Sequence, residues 1–229
     1  MIANSTHLIK RTFDIIFALL ALVLLSPGLC LIALLIKIDS RGPVFYRGLR
    51  AGLYGKPFYI NKFRTMILNA EKPGGDTTAL RDPRITRAGA FLRRYKLDEL
   101  PQLFNVIQGE MSIVGPRPEL LFYVQRYNEA EKCILNVKPG ITDLSSLVFH
   151  SLAEHVGAAD PDHVFETQVL RTKNRLRIKY ATERSFLLDL SIIGATARAI
   201  ARLLWQDLKK RILTPALRVQ LFTDRNAKR

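Results

Sequence analysis

The hydrophobic pattern divides the chain unevenly. After Lys10-Arg11-Thr12-Phe13-Asp14 the sequence turns apolar and stays so to Ile36, where Lys37 ends the run. As one straight helix, Phe13 to Ile36 reaches roughly 36 Å, enough for a bilayer core of about 30 Å. The run is longer than a signal-peptide core and no small-residue cleavage site closes it, so it is expected to stay attached. Ser26-Pro27-Gly28 interrupts it. The proline removes a hydrogen bond and pushes against the Val23 carbonyl. The first arm, Phe13 to Ser26, is only about 21 Å long. Basic residues flank both ends, Lys10 and Arg11 before and Lys37, Arg41, Arg47 and Arg50 after. Positive-inside bias puts both flanks on the cytoplasmic side. A helix that enters, breaks at Ser26-Pro27 and returns satisfies both features, with the Ser26 hydroxyl placed to satisfy a freed carbonyl. A crossing helix that contains a proline satisfies the hydropathy equally well, and the pattern alone does not choose.

Beyond the apolar run the pattern becomes mixed. Arg41-Gly42-Pro43 and Leu53-Tyr54-Gly55-Lys56-Pro57 read as turns around short strands at Val44-Phe45-Tyr46 and Phe58-Tyr59-Ile60, a small β-hairpin. Glu71 to Asp82 reads as a loop. Helical periodicity returns from Ala88 and again over Glu119 to Val137. It ends in a helix with Phe186, Leu190, Ile193, Ala197, Ile200 and Leu204 on one stripe. Arg198 and Arg202 lie off that stripe, so the helix suits either core docking or an interfacial position. Arg171, Lys173, Arg175, Arg177 and Lys179 alternate with less charged residues. That is literally a strand pattern, although basic residues on two sides of a helix give the same spacing, and a solvated or headgroup-facing surface is expected. The expected fold is α+β and predominantly helical. A membrane helix occupies residues 1–40, a compact catalytic domain with the hairpin and amphipathic interfacial helices 41–205, and a basic tail 206–229.

Charge and chemistry sharpen this outline. The 229 residues carry a formal net charge of +15, which favours anionic partners: nucleic acid, acidic lipid headgroups or phosphorylated substrates. Two cysteines, Cys30 and Cys133, form no disulfide framework. His150, His155 and His163 match no metal-binding spacing. The densest chemistry runs from Asp82 to Glu119. There Arg81, Arg84, Arg87, Arg93, Arg94 and Lys96 precede adjacent carboxylates at Asp98-Glu99. Asp98 is placed to cap a short helix, with Pro101 in its first turn and Gly109 near its end. A helix N-terminus among arginines suits a phosphate. An aspartate there can act as a nucleophile, and a neighbouring glutamate can hold magnesium.

The order of motifs resembles a known family, the bacterial sugar transferases known as monotopic phosphoglycosyl transferases. Lys10-Arg11-x-x-Asp14 with Ser26-Pro27 is similar to that family's re-entrant helix. Gly42-Pro43-Val44-Phe45 and Lys62-Phe63-Arg64-Thr65-Met66 follow. Asp98-Glu99-Leu100-Pro101-Gln102 matches its catalytic dyad block and Gly115-Pro116-Arg117-Pro118 its nucleotide-contacting block. Lys138-Pro139-Gly140-Ile141-Thr142 completes the series. The resemblance implies a transferase that moves a sugar-1-phosphate from a nucleoside diphosphate sugar, usually a uridine one, to polyprenyl (undecaprenyl) phosphate. It implies Asp98 as nucleophile, Glu99 as the ligand of Mg2+, and substrate contacts from Arg93, Arg117, Lys62 and Arg64. It also implies a bacterial inner-membrane enzyme facing the cytoplasm, working among membrane lipids at the start of exopolysaccharide, lipopolysaccharide or glycoprotein assembly. Dimerisation and the identity of the sugar are left open.

Three departures touch neither acid of the dyad: Gly48-Leu49 after Arg47, Arg171 where a proline is common, and Asp143-Leu144 after Thr142. A membrane-tethered nucleic-acid-binding protein is disfavoured, because the basic residues form no recognition helix and no aromatic-basic platform. A catalytically silent scaffold is disfavoured by the intact dyad. A polytopic transporter is excluded by the single apolar segment.

Overall fold

The computed structural model describes residues 2–68, 70, 78, 82–149, 152 and 160–226. Most of the Glu71–Asp82 segment, together with His150 and His155, lies outside the described residues. The first element, α1 (Ile2–Asp39), is a helix that continues through Pro27. Ser26 Oγ donates to Val23 O at 2.8 Å, so the carbonyl that the proline ring would orphan keeps a partner. The segment Leu8–Asp39 is long and apolar enough to cross a membrane. Its middle leaves Val23 70% and Leu24 77% exposed.

Both ends of α1 are held by the rest of the fold. Near its start, Arg11 donates to Val106 O (2.6 Å) and Ile107 O (2.9 Å). Asp14 Oδ1 accepts from Ile113 N at 3.2 Å. Lys10 bridges Asp14 (3.1 Å) and Asp189 (2.9 Å). At the far end, the Arg64 guanidinium donates to the carbonyls of Ser40 (2.8 Å) and Arg41 (2.7 Å). Those carbonyls follow the last turn of α1, where a cation is favoured. Asp39 Oδ2 accepts from Ala88 N at 2.9 Å.

The expected hairpin is present and longer than its apolar cores suggest. Strands β1 (Phe45–Ala51) and β2 (Pro57–Phe63) pair antiparallel from Phe45↔Phe63 to Ala51↔Pro57. Tyr54 and Gly55, both at positive φ, make the connecting turn. A short helix α2 (Arg87–Arg94) follows, capped by Thr86 Oγ1 accepting from Gly89 N at 3.0 Å. After a 3-10 turn at Leu97–Glu99 comes α3 (Gln102–Gln108), which ends at Gly109 with φ 87°. The Arg11 bonds therefore also cap the carbonyl end of α3.

A second, parallel pair, β3 (Ser112–Val114) with β4 (Gly140–Thr142), was not expected from the pattern. The stretch Glu119–Val137 is not one helix. It holds α4 (Leu121–Val124) and a separate 3-10 segment, Glu131–Asn136. Helix α5 (Leu144–Val148) is capped by Asp143, and α6 (Pro161–Val164) leads through a π turn into α7 (Leu170–Glu183). The alternating basic stretch is therefore helix, not strand. Arg171, Arg175 and Lys179 are exposed as expected, but Arg177 is 1% exposed and lies inside the fold. The last helix, α8 (Phe186–Asn226), runs on past residue 205. Its Asp207 ties it to α2 by accepting from Arg94 Nε (2.7 Å) and the Tyr95 hydroxyl (2.6 Å).

The main core gathers Ala18 of α1, Phe58 and Ile60 of β2, Leu103 and Val106 of α3, Val114 of β3, Tyr180 of α7 and Ile192 of α8. A second cluster packs Ile32 and Ile36 of α1 on Phe63 and Leu92. The dyad turn joins α2, which gives Leu92 to the second cluster, to α3, which gives Leu103 and Val106 to the first.

Candidate active site

The turn that carries the dyad is set from both sides. Lys96 precedes it in the left-handed region (φ 58°) and starts a reversal after α2. Leu100 and Pro101 then continue in right-handed geometry into α3, so residues 97–108 form one uninterrupted right-handed stretch. The proline costs nothing at this position, where an amide would lack a helical partner. Asp98 was expected to cap the helix, but it does not. It sits inside the 3-10 turn, and α3 begins after Pro101 without a side-chain cap.

The two acids have opposite environments. Glu99 is tied down: Oε1 accepts from Lys62 Nζ (3.1 Å) and Arg117 Nη2 (2.5 Å), and Oε2 from Arg117 Nη1 (2.8 Å). Burial pushes its carboxyl up, but Arg117, Lys62 and Lys96 outweigh it and hold Glu99 far below the usual carboxylate range. Asp98 is 7% exposed, and its Oδ1 has no hydrogen-bond partner among the described residues. Burial and then the adjacent Glu99 raise its carboxyl above the ordinary value, against the pull of Lys62, Arg93 and Lys96. One acid is locked as an anion, while the other is desolvated and unengaged.

Arg93 reaches this turn from α2, where Nε donates to Thr65 Oγ1 (2.8 Å) and Nη1 to Thr78 Oγ1 (2.9 Å). Arg117 comes from the other side. Gly115 N donates to Thr142 O (3.1 Å) and Gly140 N to Pro116 O (3.0 Å), which welds the loop after β3 to β4. Asp143 Oδ2 accepts from Arg117 N (3.2 Å), and Arg117 Nη1 also donates to Ile141 O (2.6 Å). Four cations (Lys62, Arg93, Lys96 and Arg117) thus act on two carboxylates, an excess of two positive charges. That excess suits a diphosphate.

Of the residues expected in the site, Lys62, Arg93, Asp98, Glu99 and Arg117 come together. Arg64 does not join them, since its guanidinium faces the end of α1. Ser26 and Pro27 lie in the exposed middle of α1. Asp143 counted in the sequence only as a departure, yet it seats Arg117. Its signal was the cap pattern Asp143-x-x-Ser146, realised as Ser146 N donating to Asp143 Oδ1 at 2.6 Å. Among the described residues no three His, Cys, Asp or Glu side chains cluster as a metal cage. Magnesium ordinarily takes one or two carboxylates together with substrate phosphates. The dyad, with the unpartnered Asp98 Oδ1 and with Glu99 Oε2 in a single contact, fits an ion of that kind.

The pattern of conserved positions that defines the bacterial sugar transferases matches residues 5–203. This chain belongs to the bacterial sugar transferase family. Among relatives of this sugar transferase is the UDP-glucose:undecaprenyl-phosphate glucose-1-phosphate transferase of Escherichia coli strain K12. It is 46% identical over 145 residues, 62% of this chain and 31% of the relative. The UDP-N-acetylgalactosamine-undecaprenyl-phosphate N-acetylgalactosaminephosphotransferase of Aeromonas hydrophila is 37% identical over 195 residues, 84% of this chain and 43% of the relative. The exopolysaccharide production protein ExoY of Sinorhizobium fredii is 42% identical over 150 residues, 59% of this chain and 66% of the relative. The sugar transferase described here thus spans less than half of the first two relatives' length.

Proposed function

We propose that this sugar transferase moves a sugar-1-phosphate from a uridine diphosphate sugar to undecaprenyl phosphate, by way of a phosphosugar carried on Asp98. The observation that carries the reading is the contrast within the dyad: Glu99 is held as an anion by Lys62 and Arg117, and Asp98 keeps a buried, unpartnered oxygen beside them. In the first half-reaction an Asp98 carboxylate oxygen attacks the sugar-bearing phosphorus. The bond from that phosphorus to the bridging oxygen breaks, and uridine monophosphate leaves with the electron pair. In the second, an oxygen of the lipid phosphate attacks the same phosphorus, the aspartyl oxygen–phosphorus bond breaks, and the carboxylate is restored. Neither half consumes a proton. Arg93, Lys96 and Lys62 offset the negative charge that gathers at phosphorus. Arg117 orients Glu99 and borders the nucleotide. Glu99 would hold a magnesium ion, which when bound supplies charge compensation for the diphosphate.

The relatives named for undecaprenyl phosphate and UDP-sugars supply the substrate classes. The hold on both ends of α1 supports re-entry. A helix that crosses a bilayer leaves its ends on opposite faces, whereas Lys10, Arg11 and Asp14 at one end and Asp39 and Ser40 at the other bind the same folded body. With basic flanks on both sides, that body lies on the cytoplasmic face of the inner membrane.

The test is uridine monophosphate release by the full chain in lipid nanodiscs with magnesium and a panel of uridine diphosphate sugars. One burst per enzyme is expected without lipid acceptor, and steady turnover with undecaprenyl phosphate. Asp98→Asn should abolish both. A variant that still turns over, or a wild-type burst that requires the lipid, would sink the covalent route.

A further inference from the structure

Gln102 is 0% exposed, yet among the described residues neither its Oε1 nor its Nε2 has a hydrogen-bond partner. Its setting makes this informative. The residues four and three positions before it are Asp98 and Glu99, and residues 97–108 form one right-handed stretch. Long side chains in such geometry lean back over the preceding turn. By that rule the patch Gln102 covers is the turn that carries both acids, where Asp98 Oδ1 is likewise buried and unpartnered.

The next amide on the same helix shows how fully this fold can satisfy one. Asn105 Oδ1 accepts from Asn61 N (2.9 Å) and Asn61 Nδ2 (3.1 Å). Its Nδ2 donates to Tyr59 O (2.8 Å) and Glu110 Oε2 (2.7 Å). Asn105 is also 0% exposed. One buried amide ties its helix to strand β2 and to the turn at Glu110, while the other, one turn closer to the dyad, holds nothing. An unsatisfied buried amide costs stability that a methionine of similar length would not. A group that the resting fold leaves orphaned at a reactive turn is a group for a ligand.

We infer that Gln102 is a substrate-contacting residue whose Nε2–H donates to a non-bridging oxygen of the phosphoryl group as that group moves onto Asp98. The inference rests on the phosphosugar-transfer reading above. A phosphoryl group presents only acceptor oxygens, so the amide nitrogen is the end that meets it. The surrounding cations supply charge from several directions. A neutral N–H adds a directional donor that can distinguish the crowded trigonal-bipyramidal phosphorus from the ground state without strengthening the hold on the released nucleotide.

The experiment compares wild type, Gln102→Met and Gln102→Glu as full chains in nanodiscs, by rapid-quench measurement of the uridine monophosphate burst and by thermal melting. Gln102→Met is expected to melt at or above the wild-type temperature, because it removes two orphaned polar atoms, while its burst slows by roughly 10²-fold. Gln102→Glu places an acceptor against the phosphoryl oxygens and is expected to be slower still. A Gln102→Met burst at the wild-type rate overturns the inference and leaves the reaction standing. A clear loss of melting temperature in Gln102→Met shows that the amide has a partner in the resting protein, and also overturns it. Absence of any burst in wild type overturns the reaction itself, and the inference with it.

Discussion

Adjacent carboxylates repel, and the fold uses that repulsion to give Asp98 and Glu99 different states. Arg117 and Lys62 fix Glu99 as an anion, and its charge, added to burial, raises the neighbouring carboxyl. Asp98 must be ionised to attack, so its rate falls as pH drops through its folded pKa. Because that pKa is raised, the acid limb of the burst rate is expected above the ordinary aspartate value of about 4. Glu99→Gln removes the like charge and leaves Lys62 and Arg117 uncompensated. Both changes lower the Asp98 pKa, so the limb should move to lower pH while the maximum rate falls. A pH profile of the burst checks this, and a limb that stays or rises would contradict it. At this scale the sequence was legible where a motif spelled out the chemistry, as at Asp98-Glu99. It showed neither the contact by which Asp143 seats Arg117 nor the idleness of the Gln102 amide, since which polar groups find partners depends on the tertiary neighbours.

Short elements place the reacting groups, and close backbone approach fixes the elements. A Cβ on Gly89 of α2 would lie 2.0 Å from the Thr65 carbonyl oxygen, a backbone atom that cannot turn aside. Gly89→Ala is therefore expected to push α2 off β2's trailing loop. It should cost about 1–3 kcal/mol by chemical denaturation and slow the burst, since Arg93 hangs from Thr65. Helix α7 shows why a polar pattern can mislead. Its buried stripe is Asn174, Arg177 and Tyr180, spaced by three as a helix requires. Two of the three are polar, so hydropathy saw only alternating charge. Arg177 donates to Glu119 Oε2 at 3.0 Å, beneath the loop that bears Arg117. Arg177→Met takes the ion-pair partner from a Glu119 side chain that is only 13% exposed, with an expected loss of roughly 3 kcal/mol. The double variant with Glu119→Gln should recover much of it. Equal melting of the single and double variants would show that the stranded Glu119 charge is not the cause of the loss.

At the scale of the whole molecule, a charged body grips both ends of one apolar helix. The apolar run of that helix, its basic flanks and its proline were readable from the chain, whereas its extension to Ile2–Asp39 and its continuity through Pro27 were not. The grip was not, because it is made by Val106, Ile113, Ala88 and Arg64, far away in sequence. Single cysteines placed at Ile9 and at Ile38, in a Cys30→Ser, Cys133→Ser background, are expected to react with an impermeant maleimide from the same side of sealed inverted vesicles. Labelling from opposite sides would exclude re-entry. The parallel β3–β4 pair was equally hidden, since three-residue strands leave no periodicity to read.

The Lys10–Asp189 bridge also has a meaning in time. Synthesis reaches Lys10 before Asp189, and the clasp follows 179 residues later (189 minus 10). At common synthesis rates that is roughly 10 to 40 s. Throughout that interval the apolar segment must hold its place with Lys10 lacking this partner. The holds on α1 at Ala88, Val106 and Ile113 come from residues made earlier, so the bridge from α8 is the last of them to become available.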